Sequence, residues 1–147
     1  MSRGLAVLLV AVAGCLVGMQ APVNARLGRS VGSIQAAAFS FIVGTVALVL
    51  IAAVSKGGLA SYGNVSKVPW WALIGGLFGA VYVAVSILTV RKLGVSGLTA
   101  TVIAGQLGIA VVIDRFGWFG ISRQPITLTR IVGLLLLAVG VLLVVRR

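Results

Sequence analysis

With 147 residues, 61% of them hydrophobic and 9% charged, and a mean hydropathy of +1.24, the chain carries more apolar surface than a soluble domain of its size can hide, so its solvent is lipid. Its net charge of +11 comes from 12 Lys and Arg against one acid, but the cations stand as singles and pairs between apolar runs rather than as a basic face with aromatic platforms, which argues against nucleic acid. With no His, one Cys and one Asp, and no phosphate loop, one copy cannot build a zinc site, a Ser-His-Asp triad, a carboxylate pair or a disulfide framework, so neither an enzyme nor a metal or other cofactor is expected.

A bilayer core of about 30 Å takes about 20 helical residues to cross. Five segments qualify, at about 4–23, 32–55, 69–90, 95–114 and 126–145, and Arg130 is the one charge in their interiors, close enough to an end to snorkel. The runs are continuously apolar and lack the alternation of a barrel strand. The expected fold is therefore an all-α integral membrane domain of five transmembrane helices, occupying 1–147 as a single unit.

In the first span, Val12-Ala13-Gly14-Cys15 resembles a lipoprotein signal that would be cut and lipidated at Cys15. The run stays apolar through Met19 and exceeds the length of a signal's hydrophobic region, so Cys15 is expected to pack inside the membrane as a small apolar residue. Gln20 and Asn24 are four apart and share a face, with Pro22 between them. Either the helix continues and Pro22 kinks it, freeing the Gly18 carbonyl beside a substrate site, or the helix ends there and the two amides cap it. Arg26-Leu27-Gly28-Arg29 then links to the second span, near whose start Gln35 is interfacial.

A Gly- and Ser-rich stretch, 56–67, leads to Pro69, which suits a helix first turn, and to Trp70 and Trp71, which with Trp118 mark one membrane interface. Tyr82, Ser86 and Thr89 form a polar stripe along the third span, extended by Gly75 and Gly79. That row is either a helix seam or a pore-lining face. The tight link Arg91-Lys92-Leu93-Gly94 opens the fourth span, where Gln106 lies near the middle between Gly105 and Gly108, with Thr99 on the same face. A buried amide needs partners, so Gln106 is either glue to another helix or a substrate contact. Asp114, the one acid, sits beside Arg115; it is a local ion pair of little worth, a lock between two copies, or a proton-coupling group. Residues 27–44 and 93–108 also echo one another, as a duplicated two-helix hairpin would.

The cations divide evenly across the membrane. Arg3, Lys56, Lys67, Arg115, Arg123 and Arg130 fall on the amino-terminal side A; Arg26, Arg29, Arg91, Lys92, Arg146 and Arg147 fall on side B. Orientation follows the Lys/Arg bias of short loops, and here that bias is zero. Subtler cues then select one orientation, or the protein inserts both ways and pairs as an antiparallel homodimer, a ten-helix assembly with inverted-repeat symmetry like that of many transporters.

Gln20-Ala21-Pro22-Val23-Asn24, Pro69-Trp70-Trp71 with Gly75-Gly76-Leu77-Phe78-Gly79-Ala80, Gly105-Gln106, Ile113-Asp114-Arg115-Phe116-Gly117 and Arg130-Ile131-Val132-Gly133 together resemble the family called domain of unknown function 606. The resemblance covers almost the whole chain. It implies a bacterial inner-membrane protein, a half-size relative of the drug/metabolite transporter superfamily, with five spans per copy and paired or fused inverted halves. It does not imply the substrate. Small multidrug resistance transporters carry a membrane-embedded Glu in their first helix, and this chain has no Glu.

The expected function is dual-topology transport of a small polar or amphipathic metabolite by alternating access. The expected partners are the bilayer and an inverted second copy. Gln20, Asn24, Tyr82, Ser86 and Gln106, with their copies, line the substrate site, and Asp114 is a dimer or coupling residue. The alternatives are a small dual-topology ion channel, of the kind that conducts fluoride, and a non-transporting membrane scaffold.

Overall fold

The computed structural model describes residues 1–146; Arg147, one of the cations assigned to side B, lies outside them. Among the described residues every regular element is helical: α1 (Arg3–Val31), α2 (Ser33–Val54), α3 (Gly75–Phe116) and α4 (Leu128–Val145), with 3₁₀ segments at Gly58–Lys67, Trp70–Leu73 and Trp118–Gly120. Four helices are long and apolar enough to cross a membrane. With 42 residues, α3 would extend about 63 Å if straight, twice the thickness of a bilayer core. It is broken at Gly94, where φ is 70° and ψ is 167°, a conformation that helices exclude and glycine adopts without strain. Its two arms, 75–93 and 95–116, correspond to the third and fourth expected spans.

The largest departure from the expected boundaries is in α1. The helix starts at Ser2, whose hydroxyl accepts a hydrogen bond from the Leu5 backbone N–H at 3.3 Å, and it continues through Pro22 to Val31. Gln20 and Asn24 therefore lie within a helix and do not cap one, and Arg26-Leu27-Gly28-Arg29 belongs to the helix, not to a linker. Hydropathy marks where lipid ends, but helical hydrogen bonds are internal and carry on past that point. Termination falls to Gly32, at φ 96° and ψ 151°, whose N–H donates to the Gly28 carbonyl at 3.0 Å. The Arg91–Gly94 link likewise shrinks to Gly94. At the third span the shift runs the other way: Pro69 precedes the 3₁₀ segment Trp70–Leu73, and α-helix begins at Gly75.

The chain divides into two compact units, Met1–Arg91 and Lys92–Arg147. In the first, Ala36 and Ala37 of α2 pack with Val83 and Ile87 of α3, flanked by Leu27, Phe41, Tyr82 and Ala84. Lipid tails are as apolar as leucine, so helices associate through close fit between small residues. Gly28 shows how close: a Cβ there would lie 3.3 Å from Ile87 Cγ2. Outside this seam the long aliphatic side chains are exposed, as is Cys15 on α1. In the second unit, the arm 95–116 ends at Gly117, whose N–H donates to the Ile113 carbonyl at 2.8 Å. The Thr127 hydroxyl caps α4 by accepting from the Arg130 N–H at 3.3 Å. Leu98 is the unit's buried large side chain among the described residues.

Candidate functional site

One face of α1 carries Ala21, Asn24 and Ala25, all buried, at the spacing of successive helical turns. The facing side of α3 carries Val83, Ser86, Ile87 and Val90, also buried. Where the two faces meet, Gln20, Ala21 and Asn24 oppose Tyr82, Val83 and Ser86 across a crevice too narrow to hold a water. Four of the five residues expected to bind substrate, Gln20, Asn24, Tyr82 and Ser86, thus come together in one place. Asn24 is 6% exposed, and its Nδ2 donates to Ser40 Oγ on α2 at 3.1 Å.

Ser86 is the anomaly. It is 3% exposed, and its hydroxyl has no hydrogen-bond partner among the described residues. A serine or threonine in a helix can return its hydroxyl to the carbonyl one turn back. Thr89 does so to Val85 and Thr101 to Gly97, both at 2.8 Å. Ser86 does not, and a buried hydroxyl without a partner costs about 1–3 kcal/mol. The stripe of α3 is therefore divided in use: Gly79 packs as a seam, where a Cβ would meet Phe41 Cζ at 3.2 Å. Tyr82 and Ser86 line the crevice, Thr89 is satisfied within its own helix, and Gly75 meets open space.

Gln20 also borders a second, open pocket of about 170 Å³, formed with Ser40, Phe41, Gly44, Thr45 and Leu48. Thr45, Ser40, Gln20, Asn24 and Ser86 thereby make a polar row from an open pocket to a closed crevice. Sequence reasoning missed Ser40 and Thr45. Their signal was present as hydroxyls next to Gly44 in a helix whose mean hydropathy reaches 2.6.

Gln106 does not line this crevice. It lies in the second unit, exposed on the arm 95–116, and its side chain has no hydrogen bond to any described residue. Asp114 is in that unit too, and its partner is not the adjacent Arg115. Consecutive residues point to different sides of a helix, and Asp114 Oδ2 instead meets Arg130 Nη1 of α4 at 3.2 Å. The carbonyl of Asp114 also accepts from the Gln124 N–H at 2.9 Å. The pair borders a groove of about 280 Å³ walled by Leu107, Ala110, Val111, Gly133 and Leu134.

A family model described as "Putative inner membrane exporter, YdcZ" matches residues 5–143. The inner membrane protein YdcZ of Escherichia coli (strain K12) is 38% identical to the chain over 93 residues, which are 63% of this chain and 62% of that protein. The match thus spans less than two thirds of that relative's length. No solved structure matches the chain. The family's description is that of an exporter rather than an enzyme, and its place in the inner membrane agrees with helices long and apolar enough to span. By a match that runs through nearly all of its spanning segments, this chain belongs to the YdcZ family, whose model carries the description "Putative inner membrane exporter".

Proposed function

We propose that the chain is a carrier for a small polar or amphipathic metabolite, inserted in both orientations and working by alternating access as an antiparallel homodimer. The observation that carries this reading is the unpartnered Ser86 hydroxyl in the crevice of Gln20, Asn24 and Tyr82. The crevice of amides and hydroxyls adjoins an open pocket that shares Gln20, and the two together support a binding site that opens and closes. Parting α1 from α3 would let a substrate donor or acceptor satisfy Ser86 and repay its burial. Pro22 favours such movement, since α1 lacks one backbone hydrogen bond there. Amides and hydroxyls, with no charge among the crevice residues, suit a neutral polar group rather than a bare multivalent cation.

Two features support pairing with an inverted copy. One is the even division of Lys and Arg between the two sides. The other is Gln106, an amide exposed in mid-helix whose side chain has no partner among the described residues; facing lipid it would be costly, and a second copy can satisfy it. The resemblance to domain of unknown function 606, with its half-size members, points the same way. The family's description as an exporter favours outward transport.

Flux into liposomes containing the purified protein tests the reading. Saturable exchange that disappears in Ser86→Phe supports the carrier. Large single-channel currents would replace it with a channel, and absence of flux for every candidate metabolite would leave a scaffold. A reporter fused to the carboxyl terminus should be detected on both sides of the membrane, and signal on one side alone rules out dual insertion.

A further inference from the structure

We infer that Arg26, Arg29 and Arg91 form a phosphate-binding groove at headgroup depth. The three arginines converge on one open pocket of about 340 Å³, floored by Pro22, Ala25 and Val90. It shares no lining residue with the crevice. All three side chains are exposed, and none has an ion-pair or hydrogen-bond partner among the described residues. The one acidic side chain, Asp114, is engaged by Arg130. Among the described residues nothing neutralises the three arginines, which leaves them open to an anion from outside the chain.

Depth selects the chemistry of that counter-charge. With 29 residues, α1 is about 43 Å long, roughly 13 Å more than a bilayer core. Its surplus holds Arg26 and Arg29, which lie near the helix carboxyl terminus, where the macrodipole favours cations. Phosphate is the anion concentrated at that level. A guanidinium presents a planar fork that matches phosphate oxygens two at a time. The apolar floor adds a surface against which the first methylenes of an acyl or glycerol moiety can lie. The phosphate has two sources, an anionic lipid headgroup or a soluble phosphate monoester, and the groove's chemistry serves both.

Native mass spectrometry of the full chain in mild detergent separates these sources. The probes are phosphatidylglycerol, phosphatidylcholine of the same acyl chains, and inorganic phosphate. A basic residue at an anionic membrane surface contributes roughly fivefold in affinity. The triple variant Arg26→Gln, Arg29→Gln, Arg91→Gln should therefore bind phosphatidylglycerol on the order of a hundredfold more weakly, compounding that factor over three residues. Lys56→Gln with Lys67→Gln, which removes cations from the exposed segment after α2, should leave binding unchanged. Preference for phosphatidylglycerol over phosphatidylcholine, lost in the triple variant, establishes a headgroup site. Binding of inorganic phosphate to the delipidated protein, lost in the same variant, establishes a soluble one. If the triple variant does not fold, Arg91→Gln alone should weaken binding roughly fivefold, and Arg91→Lys should recover part of the loss. Wild-type protein that prefers neither probe, or variants that retain wild-type binding, would overturn the inference.

Discussion

The two units treat their polar groups in opposite ways. In Met1–Arg91, Ser86 is buried and without a hydrogen-bond partner among the described residues, at the edge of a crevice between tightly packed helices. In Lys92–Arg147, the one acid of the chain is paired with Arg130 at 3.2 Å, and its backbone carbonyl holds the following loop through Gln124. Both arrangements put polarity among apolar helices, where an unsatisfied group is expensive. One unit closes the account and gains rigidity. The other leaves a hydroxyl that a ligand can satisfy, which is why the candidate site lies in the first unit, while the second holds a part-exposed ion pair of small worth.

That contrast can be broken at several points. Ser86→Phe forces a ring into a crevice too narrow for a water, so it should wedge α1 from α3, lower stability and cut flux at least tenfold, while circular dichroism shows unchanged helix content; full flux would mean that the crevice is not the site. Gly28→Leu tests the packing that holds the crevice closed. A Cβ at position 28 is 3.3 Å from Ile87, so overpacking should cost about 2 kcal/mol in an SDS-unfolding titration. Ser86→Ala sharpens the contrast most, because stability and function should part. Removing an unpaired buried hydroxyl should stabilise the protein by about 1 kcal/mol, yet slow transport. A serine that served only as packing would give no loss of flux. The smallest effect belongs to the ion pair. Arg130 is 37% exposed and Asp114 32%, so a double-mutant cycle with Asp114→Asn and Arg130→Gln should return a coupling below about 1 kcal/mol, with flux unchanged.

Much of the fold is legible in the sequence because lipid is an unforgiving solvent. Five long apolar runs separated by cations are each long enough to span as helices, and the spacing of Gln20 with Asn24, and of Tyr82 with Ser86, already puts each pair on one helical face. Helix ends were harder to read. Nothing in the hydropathy of Arg26-Leu27-Gly28-Arg29 says that the backbone stays helical, since main-chain hydrogen bonds do not depend on side-chain polarity. The same residues, read as a linker, would never have appeared as two arginines on a continuous helix beside Arg91.

Composition and periodicity alone determined that this chain lives in a membrane, crosses it with helices and carries a sparse set of polar groups at helical spacing. Which of those groups meet was decided by packing. Asn24 found Ser40, Asp114 passed over its neighbour Arg115 for Arg130, and Ser86 was buried with no hydrogen-bond partner among the described residues. The physical reason is that burial from lipid and helical spacing act within one segment, whereas a hydrogen bond between segments depends on how closely two helices approach. Here that approach is set by residues as small as Gly28 and Ala36, whose role is invisible until the helices are side by side.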